Sequence, residues 1–143
     1  MAEGLELSVT VGDELRITAV DRLVVGWLND HSAGFGVTFN KQHFVIEAER
    51  GGRTIGALVG STNLSWLHVA LLAVDPAARR GGVGSSLLAR AEEIGRERGC
   101  VGAWLDTYDF QGPTYYPRFG YVAFGQIDDM PPGRVRYFFS KRL

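Results

Sequence analysis

The chain has 143 residues, enough for one domain with a sizeable core. With 45% hydrophobic and 22% charged residues it has the make-up of a globular protein, not of a disordered or fibrous one. A formal net charge of -1 excludes a general polyanion binder, so any basic patch must be local. The single cysteine, Cys100, has no internal partner, in keeping with a reducing cytosol. Glu3, Glu6, Asp13 and Glu14 fall within the first 20 residues, which lack the basic start and apolar core of a leader. No run approaches the roughly 18 apolar residues of a membrane span. The expectation is one cytoplasmic domain, residues 1–143, with no membrane contact.

In chain order, "LELSVTV" (5–11) alternates apolar and polar residues and predicts a strand. From Asp13, a plausible cap, to about His31, the apolar residues Leu15, Ile17, Val20, Leu23, Val24, Trp27 and Leu28 predict a helix. Residues 31–40 read as a glycine-bearing loop. Strands follow at 44–50 and 54–61 with Gly51-Gly52 as the hairpin turn, then at Trp66–Val74, whose second half is apolar on both faces. Val83–Arg98 is the clearest helix, with Val83, Leu87, Leu88, Ala91 and Ile94 on one face and Gly99 to end it. A strand at 101–108, a short helix at 113–119 and a terminal strand pair complete the order. This predicts an α/β fold with a mixed sheet in which the strands of the 66–108 unit are parallel.

"VDPAARRGGVG" (74–84) turns from a strand into a helix N-terminus, where free backbone N–H groups and the helix dipole suit a phosphate. A P-loop would need a lysine after Gly84, but Ser85-Ser86 follows; a dinucleotide fingerprint would need a small residue at Leu87. The segment resembles the acyl-CoA motif Q/R-x-x-G-x-G/A of the GNAT superfamily of N-acetyltransferases, with Arg79, Gly82 and Gly84 in register. The alternative for the bend alone is a tight turn that needs glycine for its backbone angles. The resemblance implies a mostly antiparallel mixed sheet with one parallel pair and flanking helices. It also implies that acetyl-CoA lies along Leu72, Ala73 and Val74, with its pyrophosphate on Arg79, Arg80, Gly81, Gly82, Val83, Gly84 and Ser85. Arg80 departs from the glycine that many members carry there.

"GPTYYPRFGY" (112–121) resembles the second landmark of that family, A-P-x-F-Y-x-K-x-G-F, with Pro117 in place of the usual lysine-like residue. The resemblance covers roughly residues 42 to 143 and implies that Tyr116 protonates the leaving thiolate, a role for which a phenol of pKa about 10 is suited. The bland reading of Tyr116 is a packed aromatic. Tyr115 is read as packing or as contact with the coenzyme arm. His68 falls where some members carry a base, with a structural histidine as its alternative. His31, Phe35 and Trp66 are candidates for the acceptor wall, each with surface or core packing as the competing reading. Three histidines and one cysteine without ligand spacing predict no metal, and scattered arginines predict no nucleic acid. The expected activity is acetyl transfer from acetyl-CoA to a primary amine, on a small molecule or a peptide, by direct attack. A non-catalytic acyl-CoA-binding or regulatory module is the alternative, and a homodimer is in keeping with the family.

Overall fold

The computed structural model describes residues 4–143; Glu3, part of the acidic N-terminal run, lies outside them. The chain divides into two compact units, Met1–Phe39 and Asn40–Leu143.

The first unit is built on helix α1 (Glu14–Ser32), followed by a single 3-10 turn at Ala33–Phe35. Asp13 caps α1, its carboxylate accepting from the Arg16 amide at 3.0 Å. Farther along, Asn29 clasps the chain after the turn: its side-chain oxygen accepts from the Phe39 amide at 2.7 Å. The strand expected at 5–11 does not form. Leu7 and Val9 are 88% and 89% exposed, and the segment has no ladder partner among the described residues. Alternation marks a strand only where a second strand and a core are there to receive it.

The second unit holds the sheet. Strands β1 (Gln42–Arg50), β2 (Arg53–Asn63), β3 (Trp66–Val74), β4 (Gly102–Tyr108), β5 (Val122–Asp128) and β6 (Val135–Arg142) lie in the order β1-β2-β3-β4-β6-β5. The β3–β4 pair is parallel, as expected of a strand–helix–strand unit, and every other pair is antiparallel. Helix α2 (Val83–Glu97) crosses between them, burying Leu87, Leu88 and Ala91 against Leu58, Leu67, Val69, Leu105 and Phe139. Across that interface the Tyr121 hydroxyl donates to buried Glu92 at 2.9 Å, and Lys141 Nζ donates to its other oxygen at 2.8 Å. A buried carboxylate survives there because both of its oxygens are answered.

The sheet is irregular in two places. Val59 pairs with Leu71 but Gly60 with Val69, so Ala70 is an extra residue, a bulge in β3. The β3–β4 ladder runs only from Trp66–Gly102 to Val69–Leu105, and past the bulge the two strands part.

Candidate active site

The parting of β3 and β4 opens a cleft of about 880 Å³ lined on one side by Ala70–Val74 and on the other by Asp106 and Thr107. Beyond Val69 the β4-facing edge of β3 has no strand partner. Its backbone groups therefore need partners from elsewhere, which is how an extended ligand can be received.

The glycine bend forms the floor. Asp75 accepts from the Ala77 amide at 3.0 Å and is salt-bridged to Arg53, which fixes the turn leaving β3. The amide of Ala77 and the Arg53 guanidinium hold the Asp75 carboxyl below its ordinary range. Arg80 then takes φ +73 and Gly82 φ +75 before α2 begins. Arg80 is thus a β-carbon-bearing residue in left-handed backbone, a conformation that glycine adopts at less cost. The Ser85 hydroxyl donates back to the Gly82 carbonyl at 2.9 Å, leaving the first amides of α2 turned to the cleft end of the helix. Gly84 has a steric reason of its own: a Cβ there would come within 2.8 Å of the Tyr115 hydroxyl. Tyr115 therefore lies over the helix start, with the Arg118 guanidinium 5.6 Å above its ring.

The short helix expected at 113–119 is a 3-10 turn over Tyr116–Phe119, with Tyr115 as its cap. Pro117 is its second residue, where the missing N–H has no partner to lose. Burial pushes the Tyr116 pKa up to about 12, with smaller contributions from the neighbouring Tyr115 and the Asp106 carboxylate. The phenol stays protonated at any physiological pH and is able to give its proton away.

Of the residues expected to hold the coenzyme, all line this cleft except Gly81: Leu72, Ala73, Val74, Arg79, Arg80, Gly82, Val83, Gly84, Ser85 and Tyr115. Tyr116 lines it too. His68 and Trp66 line a second, smaller cavity of about 350 Å³ with Lys41, Ser61, Asn63, Leu64 and Trp104. There the His68 ring stacks on Trp104 at 3.8 Å and 5°, its Nε2 is buried without a partner, and burial lowers its pKa. His31 and Phe35 belong to the first unit, with ring centroids 6.1 Å apart, and line neither cavity. Sequence reasoning missed Asp106, Thr107, Phe110 and Gln111 of the cleft wall and the Trp104 platform. Among the described residues no group of side chains is arranged to hold a metal, and no helix is long and apolar enough to cross a membrane.

Residues 18–121 match the family model described as acetyltransferase (GNAT) family. The chain belongs to the GNAT acetyltransferases. A blasticidin-S acetyltransferase from Streptomyces morookaense is 47% identical over 93 residues, spanning 64% of this chain and 68% of that protein. The crystal structure of an acetyltransferase from Bacillus cereus ATCC 14579 superposes with a TM-score of 0.80 at 29% identity, covering 96% of this chain and 98% of that one. A Bacillus anthracis protein described as a streptothricin acetyltransferase, in complex with acetyl coenzyme A, shares the fold with a TM-score of 0.64 at 22% identity. It covers 71% of this chain and 62% of its own. As a GNAT acetyltransferase the chain is an acyltransferase.

Proposed function

We propose that this protein transfers the acetyl group of acetyl-CoA to a primary amine by direct attack, within the cleft between β3 and β4. The observation that carries this reading is the split itself: an unpaired strand edge leads straight onto a glycine bend at a helix N-terminus. Acetyl-CoA bound there has its pyrophosphate on the amides of Gly82–Ser85, helped by Arg79 and Arg80, and its pantetheine arm beside Leu72–Val74. That the Bacillus anthracis neighbour is bound to acetyl coenzyme A supports this use of the fold. The residues 1–143 act in this reading as one acetyltransferase domain.

The chemistry then needs few side chains. A backbone N–H of the splayed strand near Ala73 or Val74 polarises the thioester carbonyl. The free amine attacks, its nitrogen forming the C–N bond while the C–S bond breaks. Tyr116 gives its proton to the departing thiolate and recovers one from solvent. The bound ammonium gives up one proton before attack and another as the amide forms, both through water; overall one proton is released. His68 is poorly built for the proton transfer, because protonation would leave an N–H at Nε2 buried and unpaired.

The reading is tested by thiol release. Free coenzyme A should appear only when acetyl-CoA and a primary amine are both present. Tight acetyl-CoA binding with no release across a broad set of amines would favour a non-catalytic acyl-CoA-binding module instead.

A further inference from the structure

The cleft is electrically lopsided. Among the described residues lining it, the cations are Arg79, Arg80 and Arg118, gathered on the bend and the aromatic turn, and the single acid is Asp106. Asp106 follows Leu105, the last residue of β4 paired to β3, so it stands where the strands part. Its side chain is 13% exposed, and Arg136 Nε donates to its Oδ2 at 2.7 Å. Its Oδ1 accepts no hydrogen bond among the described residues, yet it is not among the buried unpartnered atoms. One oxygen is thus fixed by an arginine that is itself stacked on Tyr108 and Phe138, while the other remains available.

The surroundings give this carboxylate a context. It lines the same cleft as the Tyr116 phenol, and its charge also reaches the His68 imidazole. Side chains two apart on a strand share a face, so Trp104 lies on the same side of the sheet, about 7 Å along β4. His68 is paired to Trp104 in register and stacked on it, with Trp66 farther down the same face. A carboxylate therefore stands at the fork where the thioester would lie, on the same face of the sheet as the stacked Trp104–His68 pair of the neighbouring cavity.

We infer that Asp106 is the acceptor-specificity residue: its free oxygen holds the ammonium of a cationic primary amine whose planar or aromatic part lies about 7 Å away along Trp104 and His68. This rests on the acetyl-transfer reading and adds the class of acceptor to it. Arg136 serves as a positioning residue, its Nε holding Oδ2 of Asp106 so that the other oxygen is left for the acceptor. A carboxylate cannot readily take the proton of an alkylammonium, whose pKa is some six units higher, so Asp106 binds and orients while water deprotonates.

The test is steady-state kinetics of the full chain with phenethylamine and tryptamine as cationic acceptors and p-anisidine as an uncharged aromatic amine. Acetyl-CoA binding is measured by calorimetry on the same preparations. The intact protein should acetylate the two cationic amines and prefer them to p-anisidine. Asp106→Asn, which keeps the shape and an acceptor for Arg136, should raise KM for phenethylamine and tryptamine at least tenfold. The same variant should change kcat less than threefold and leave KM for acetyl-CoA unaltered. Asp106→Glu should recover part of the loss. A fall in kcat with unchanged amine KM would show a merely structural role and overturn the inference. Failure of the intact protein to acetylate either cationic amine while binding acetyl-CoA would overturn it as well. Failure to bind acetyl-CoA at all would instead bring down the transfer reading on which it rests.

Discussion

The two ends of the cleft are made differently. At the bend, the proposed recognition rests on backbone and on residues nearly contiguous in the chain, Arg79, Arg80 and Gly82–Ser85. At the fork, it rests on side chains from β3, β4 and β6 that meet only because the strands pair in a particular register: His68 against Trp104, and Asp106 against Phe138 beside Arg136. A coenzyme shared by a whole family can be held by amides, which every sequence has, so only the glycines need keeping. An acceptor that differs between relatives has to be read by side chains, and these can change without disturbing the sheet.

If this contrast is right, the largest losses come from the donor end. Gly84→Val would push into the Tyr115 hydroxyl and the start of α2. It should weaken acetyl-CoA binding by about a thousandfold, near 4 kcal/mol, measured by calorimetry, with the fold retained by circular dichroism. Tyr116→Phe should lower kcat on the order of a hundredfold with acetyl-CoA affinity unchanged. Because Tyr116 is pushed up to about 12, the wild-type rate should not fall through its ionisation as pH is raised past the ordinary phenol value of about 10. A kcat that drops there and follows Tyr116 would contradict the upward shift that its partial burial produces.

Changes away from both ends should touch stability alone. Tyr121→Phe removes one of the two hydrogen bonds to buried Glu92 and should cost about 1 to 2 kcal/mol in denaturant unfolding, with kinetic constants intact. Smallest is Arg80→Gly. It removes left-handed strain of about 1 kcal/mol while giving the unfolded chain a similar amount of added freedom, so the melting temperature should move by only a few degrees. A large loss of stability in that variant would mean that the Arg80 side chain has a structural part that its exposure does not suggest.

The same contrast decides what could be read in the sequence. The β3–α2–β4 unit was legible because each of its signals is local: an apolar run, a glycine bend, an amphipathic period and Gly99 after the last turn. The parallel pairing followed from chain chirality. The strand expected at 5–11 failed for the opposite reason, since Leu5, Leu7, Val9 and Val11 alternate correctly but find no neighbour to pair with. Pro117 hinted that 113–119 could not be a regular α-helix, and a 3-10 turn is what accommodates it. Asp106 was invisible because nothing near it in the chain announces a site; its meaning depends on Arg136, thirty positions away, and on where the β3–β4 ladder stops. The Ala70 bulge, next to that stopping point, carries no residue signal either.

The most direct test of donor binding in the cleft is an amide NMR titration of the intact protein with acetyl-CoA. The largest shifts should fall on Ala70–Val74 and on Arg79–Ser85, with Tyr115 and Tyr116 next. Saturable shifts confined to other segments, with the bend untouched, would contradict this and remove the donor from the cleft between β3 and β4.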